Sequence, residues 1–334
     1  MRFFVRETRV VAFGPGEGSE AGAAYFGRTA AVRRVRTLID RVKDTDAPVF
    51  IWGESGTGKE LVARTIHGTG GRRAGPFVAV NCGAIPEPLL ESELFGHVRG
   101  AFTGAVRDKA GLIEEAHRGT FFLDEVGDLG PPLQAKLLRV LEERAIRRVG
   151  ETRTRPVDVR FVSATHKDLE AEVERGTFRE DLYFRLKIIA IELPPLRERR
   201  EDIIPLLEHF AARFARPMGR PAPQFSDGAL ALLLAYPWPG NVRELQNEIQ
   251  RALVMSGDGA VIRAEDLSPR LNPRPGETAA PARTFLAARA EFERRFLQDA
   301  LLRCNHHRTR TATEVGLTRQ GLFKLMKKHH LFEK

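Results

Sequence analysis

Residues 49–67 read VFIWGESGTGKELVARTIH. The apolar run at 49–52 has the character of a buried strand, and residues 60–69 place apolar side chains at helical spacing. Between them lies Gly53-Glu54-Ser55-Gly56-Thr57-Gly58-Lys59, a GxxxxGK segment in the strand–turn–helix setting of a phosphate-binding loop. Its glycines let backbone N–H groups close around phosphate oxygens, the helix N-terminus adds positive potential, and Lys59 reaches the terminal phosphates. The position after this lysine usually carries a Ser or Thr that holds magnesium. Here it is Glu60, so a Mg2+ ion bound with ATP must depend on other ligands.

Further along, GTFFLDEV (119–126) gives a second apolar strand ending in Asp124-Glu125. Asp124 can hold the metal directly or through water, and Glu125 can orient and deprotonate an attacking water. Beside a phosphate-binding loop, this pair favours hydrolysis over nucleotide binding alone.

Working outward, short apolar runs alternate with amphipathic stretches from Tyr25 to Pro195, the rhythm of an α/β domain with a parallel sheet. The predicted strands are 49–52, 77–81, 120–124, 157–164 and 188–193, with helices at 60–69 and 132–143. From 196 to 267 strands disappear and helical periodicity takes over, which predicts an all-helical subdomain. Residues 268–284 contain four prolines and no apolar period, the composition of an extended linker. The last fifty residues, 285–334, are predicted to be three helices. The chain therefore divides into a short arm (1–24), an α/β subdomain (25–195), a helical subdomain (196–267), a linker (268–284) and a terminal helical module (285–334).

Composition narrows the class of function. The chain has 334 residues, 42% hydrophobic and 29% charged, and no apolar run approaches the roughly 18 residues of a membrane span. Cys82 and Cys304 are far apart, with no metal-ligand spacing around them, so a reducing cytoplasm is the expected setting. The net charge is +9, and residues 285–334 carry 11 basic and 5 acidic residues, most of the excess. A basic terminal block points to a polyanion partner.

Three further motifs, together with the phosphate-binding loop, make the chain identifiable. ELFGHVRGAFTGA (93–105), FREDLYFRL (178–186), YPWPGNVREL (236–245) and the GESGTGKE form of the phosphate-binding loop (53–60) occur in order. Over residues 25–334 the sequence resembles the bacterial enhancer-binding activators of sigma-54 RNA polymerase, AAA+ ATPases whose loop carries the glutamate found here at Glu60. The resemblance implies an AAA+ parallel sheet with a helical lid, followed by a Fis-type helix-turn-helix. It also implies a homo-oligomer, from dimer to hexamer, in a bacterial cytoplasm. Such a protein binds inverted half-sites of enhancer DNA and spends ATP to open the closed promoter complex.

The family's roles fall on particular residues. Gly100-Ala101-Phe102-Thr103-Gly104-Ala105 is similar to the loop that grips sigma-54; its glycines allow a sharp bend presenting Phe102 and Thr103, whereas a simple turn would tuck Phe102 into the core. Arg179 and Arg185 resemble arginines offered to a neighbouring subunit's ATP, with an ion pair to Glu180 or Asp181 as the structural alternative for Arg185. Asn81 matches an asparagine that restrains the catalytic glutamate, or else is a strand-end cap. Thr165 belongs to a nucleotide-sensing segment, with His166 where asparagine is frequent. Arg243 matches the lid's sensing arginine, and Asn241 with Glu244 reads as a capping pair at its helix start.

In the terminal module, the helices are predicted at 308–315 and 318–329, with a turn at Gly316 and Thr318 as N-cap. Leu322, Leu325 and Met326 form the inward face. Arg308, Arg310, Thr318, Arg319, Gln320, Lys324, Lys327 and Lys328 are the candidate DNA contacts. Two other readings are an AAA+ motor acting directly on nucleic acid and a repressor using ATP as a ligand switch; the intact GAFTGA argues against both. The arm before Tyr25 is too short for the receiver or ligand-sensing domain many relatives carry. Control in trans, control through the arm, or a longer parent protein are the alternatives.

Overall fold

The computed structural model describes residues 25, 27–257 and 260–272, and in the C-terminal part residues 293, 296, 297, 300, 301, 304, 307–315 and 317–329. One compact unit ends at Leu271 and a second begins at Asn272.

The first unit is built on five parallel strands: β1 (Val49–Trp52), β2 (Phe77–Asn81), β3 (Thr120–Asp124), β4 (Arg160–Thr165) and β5 (Ile189–Glu192). Their spatial order is β2-β3-β4-β1-β5. Near-continuous apolar runs are what a sheet covered on both faces requires, and alternate residues serve opposite layers. Phe121 and Leu123 of β3 join Phe50, Val78 and Phe161 in one layer, while Phe122 joins Ile51, Val162 and Ile191 in the other.

Helices cover both faces: α1 (Ala30–Val42), α2 (Lys59–Thr69), α3 (Glu87–Phe95), α4 (Pro131–Glu143), α5 (Leu169–Glu174) and α6 (Glu180–Leu186). α1 buries Val32, Val35, Ile39 and Val42, one stripe at helical spacing, and is capped by Thr29. Thr29 is itself held from a residue distant in sequence, its N and Oγ1 donating to Asp202 at 3.1 and 2.8 Å.

The fourth strand begins at Arg160 rather than at 157. Residues Thr154–Pro156 are instead the return arm of an antiparallel hairpin with Ala145–Arg147, and Val157 N donates to Arg144 O at 2.8 Å. A second unforeseen hairpin pairs Gly96–His97 with Lys109–Ala110. Arms of two or three residues are too short to show an apolar period, so neither hairpin is visible as alternation.

The lid packs α7 (Ile203–Ala215), α8 (Asp227–Ala235) and α9 (Asn241–Met255) around a fully buried Trp238, whose Nε1 donates to Leu233 O at 2.9 Å. It is not wholly helical: Gln224–Phe225 and Val261–Ile262 form a small parallel pair. Leu267 and Leu271 are buried in the same cluster, so the chain stays packed past 268.

In the second unit, α10 (Arg308–Glu314) and α11 (Arg319–Lys328) pack Ala312, Leu322 and Met326 against Leu297 and Leu301, with Leu325 partly buried beside them. Glu293, Phe296, Leu297, Ala300 and Leu301 are helical. Gly316, the arm at 1–24 and residues 273–284 lie outside the described residues.

Candidate nucleotide site

The sheet order puts β1 between β4 and β5, so the loop after β1 emerges where the strand order reverses, the usual place for a ligand in an open α/β sheet. Register aligns the neighbours: Asn81 lies opposite Asp124, and Trp52 opposite Thr165. Three strand ends thus bring the phosphate-binding loop, Asp124-Glu125 and Thr165-His166 to one edge.

A cavity of about 420 Å³ opens there. Residues 55 to 60, Asn81, Asp124 and Glu125 line it from the α/β side, and Leu206, His209, Phe210, Arg213, Val242, Arg243 and Gln246 from the lid. Tyr25 and Arg199 complete the wall, with the Arg199 guanidinium 5.1 Å from the Tyr25 ring centroid. α2 starts at this cavity with no side chain capping it, which leaves its first N–H groups for an anion. Lys59 is 7% exposed; its Nζ donates to Gly53 O at 3.0 Å and lies 3.4 Å from Glu125 Oε1. An uncapped helix start and a buried ammonium fit the phosphates of a nucleotide.

Glu125 takes up a left-handed conformation, φ 53°, that carries its side chain across to β4. Its Oε2 accepts from Thr165 Oγ1 at 3.2 Å, His166 N at 3.1 Å and the His166 ring at 2.7 Å. Burial works to raise this carboxyl, but the His166 hydrogen bonds and the Lys59 charge outweigh it and hold Glu125 below the usual range. Asp124 goes the other way: burial and the adjacent Glu125 charge raise it, against Lys59 and the Asn81 amide.

Asn81 caps its strand end, its Oδ1 accepting from Gly83 N at 3.0 Å, and bonds Asp124 rather than the glutamate that the resemblance implied. Its Nδ2 donates to Asp124 Oδ2 at 3.1 Å, and Glu125 is held by Thr165 and His166. Among the described residues no group of three or more His, Cys, Asp or Glu could hold a metal by itself. Magnesium commonly takes one or two carboxylates plus substrate phosphates, and Asp124 and Glu125 are carboxylates lining the cavity beside the phosphate-binding loop. The Glu60 carboxylate pairs with Arg64, at 2.6 Å.

Several residues assigned to this site do not line the cavity itself. Gly53, Glu54 and Thr165 do not line the cavity; the Glu54 carboxylate pairs with Arg197, and the Thr165 hydroxyl serves Glu125. Arg179 pairs bidentately with Asp181 at 3.0 and 2.7 Å, whereas Arg185 donates to Leu141 O at 3.3 Å. The structural ion pair thus falls on Arg179, not Arg185, and neither arginine enters its own chain's cavity. Asn241 is not a cap: Gly240 is the N-cap, Glu244 accepts from its N–H at 2.8 Å, and Arg243 Nη1 donates to Ser55 Oγ at 3.0 Å.

The segment 100–105 is an exposed loop standing on the Gly96–His97 hairpin. Gly100 and Gly104 have φ 81° and 108°, and Gly100 N donates to Ala105 O at 2.9 Å. Phe102 is neither buried nor free at a tip: it is 42% exposed and meets His97 edge-on, with centroids 5.0 Å apart. His97 is fixed by Ser92 Oγ at 2.7 Å. Ala101 and Ala105 pack inward to different degrees, while Thr103 is exposed.

Residues 25–192 match the Sigma-54 interaction domain family, half of the chain. The chain belongs to the sigma-54-dependent transcriptional activators. The AAA+ ATPase lid domain family matches residues 197–284, and the Fis family of bacterial regulatory proteins matches residues 288–329. The chain is 48% identical to the hydrogenase transcriptional regulatory protein HoxA of Cupriavidus necator, over 88% of this chain and 63% of HoxA. It thus spans somewhat under two thirds of that relative's length. It is 46% identical to the sigma54-dependent transcriptional activator SfnR of Pseudomonas putida, over 84% and 81% of the two chains. Among solved structures, NtrX of Brucella abortus in complex with ATP is similar with a TM-score of 0.71 and 37% identity, covering 91% of this chain and 69% of that one.

In the Fis-type unit, Thr318 Oγ1 accepts from Gly321 N at 3.1 Å, as an N-cap does. Arg308, Arg310, Lys324 and Lys328 are exposed, and Lys328 Nζ also lies 2.8 Å from Glu293 Oε2. The side chains of Arg319, Gln320 and Lys327 lie outside the described residues. Sequence reasoning missed Tyr25, Arg199 and the lid's His209, Phe210 and Arg213 around the nucleotide cavity. The one available signal was the dense run Arg197-Glu198-Arg199-Arg200-Glu201-Asp202, placed where strands give way to helices.

Proposed function

We propose that this chain is a ring-forming ATPase that binds enhancer DNA through its Fis-type unit and uses ATP hydrolysis to remodel the sigma-54 RNA polymerase closed complex into an open one. The observation that carries the proposal is the glycine-bracketed loop at 100–105, exposed on the same unit as a lysine-bearing phosphate site with a carboxylate poised beside it. Lys59 and the uncapped start of α2 would bind the phosphates, and Arg243 would reach them from the lid. Asp124 would hold magnesium, which supplies charge neutralisation on the phosphate oxygens. Glu125 accepts the proton of the attacking water at its carboxylate, once Thr165 and His166 release it from the hydrogen bonds described above.

Arg179 and Arg185 do not line their own chain's cavity, which supports their use on a neighbour's nucleotide in a ring, with the Arg179–Asp181 pair exchanged for that contact. Inverted half-sites of enhancer DNA and a bacterial cytoplasm complete the reading. The deciding experiment is a pull-down of purified sigma-54 with the chain trapped by ADP and a γ-phosphate transition-state mimic. Retention by the parent and loss in Thr103→Ala and Phe102→Ala is the expected result; a parent that never retains sigma-54 when trapped overturns the activator role.

A further inference from the structure

Glu54 belongs to the phosphate-binding loop, yet its carboxylate turns away from the cavity. Arg197, in the connector between β5 and the lid, grips it with two hydrogen bonds of 2.8 and 2.7 Å. Asn241, the first residue of α9, donates to the same carboxylate at 3.1 Å. Asn241 is fully buried and acts as a junction: its Oδ1 accepts from Leu196 N at 2.8 Å, and its Nδ2 also donates to Ser55 O at 3.0 Å.

Backbone contacts run through the same place. Gly56 O accepts from Val242 N at 3.0 Å and Arg243 N at 3.3 Å, and a Cβ on Gly56 would stand 2.2 Å from Gly240 O. Asn241 is held at φ 52°, a conformation that persists in a non-glycine residue where surrounding contacts over-determine it. The connector, the lid helix and the loop therefore meet on one carboxylate, which Arg197, and then Asn241, hold below its ordinary titration range.

We propose that Glu54 is a positioning residue that latches the lid to the phosphate-binding loop through Arg197 and Asn241, and so sets nucleotide affinity without touching nucleotide. The two halves of the cavity belong to the two elements it joins, so the angle of α7 and α9 fixes how closely Phe210 and Arg243 approach Lys59. The latch rests on the cavity being a nucleotide site, and the experiment separates the two.

Equilibrium binding of fluorescently labelled ADP to the full chain is measured for the parent, Glu54→Gln, Arg197→Gln and the double variant, with thermal unfolding of each. The singles should each weaken affinity by about fivefold, and the double by no more than the worse single, because one latch is being opened. Melting temperatures should stay near the parent's. Glu54→Asp, which keeps the charge, should recover most of the affinity and serves as the folded control. Parent-like affinity in Glu54→Gln, losses that add in the double, or an Asp variant as weak as Gln would overturn the latch. A parent that fails to bind ADP would instead overturn the nucleotide reading beneath it.

Discussion

Glu125 shows how little of a residue's setting its neighbours in sequence reveal. The pair Asp124-Glu125 announces a metal ligand and a base, but Thr165 and His166 come within reach of Glu125 because the sheet order places β4 beside β3. The same holds for Asn81, whose strand-end position is readable while its partner, Asp124, follows from parallel register. Replacing Glu125 by Gln preserves shape and removes the proton acceptor. Single-turnover phosphate release should fall by about 10²-fold or more, with ATP affinity close to the parent's by calorimetry. Lys59→Ala should weaken the binding itself, since it removes the buried ammonium from the phosphate site.

At the level of elements, the strands are legible because both-face burial writes uninterrupted apolar runs, and β1, β2 and β3 begin and end where those runs do. β4 starts later than its apolar run, at Arg160, because Val157 still serves the hairpin through Arg144 O, a distinction that hydrophobicity does not encode. The hairpin under the 100–105 loop is likewise invisible, yet it decides where Phe102 rests. Thr103→Ala alters an exposed side chain remote from the cavity lining, so ATP turnover should stay near the parent's while sigma-54 capture is lost. The lid depends on one indole: Trp238→Ala leaves a void at the centre of its three helices and should cost about 3–5 kcal/mol, read as a lowered midpoint in urea denaturation.

At the scale of the whole molecule, the separation after Leu271 predicts independent behaviour of the two units. A chain ending at 271 should retain ATP hydrolysis and lose DNA binding together with its steep salt dependence, measured by fluorescence anisotropy over a salt series. Assembly should show in rate rather than in affinity. Specific ATPase activity of the parent should climb with protein concentration, and Arg179→Ala should flatten that rise while leaving nucleotide binding in place. The basic excess at 285–334 is a property of composition and readable as such, whereas the Lys328–Glu293 pairing depends on how helices pack and is not.

The ring of Phe102 leaning on His97 has a thermodynamic meaning for the loop that carries it. An edge-on aromatic pair contributes about 0.5–1.5 kcal/mol, which corresponds to roughly a twofold to tenfold preference for the docked ring. Against thermal energy that is a shallow well, and the two glycines flanking the loop have open space around them. Two hydrogen bonds stand at its foot, Arg99 N to Asp108 at 2.8 Å and Val98 N to Val149 O at 3.1 Å, so the loop's position rests on contacts of the same small size as the ring pair. A change in one or two contacts of that size is enough to shift the balance between the docked ring and other positions of the loop.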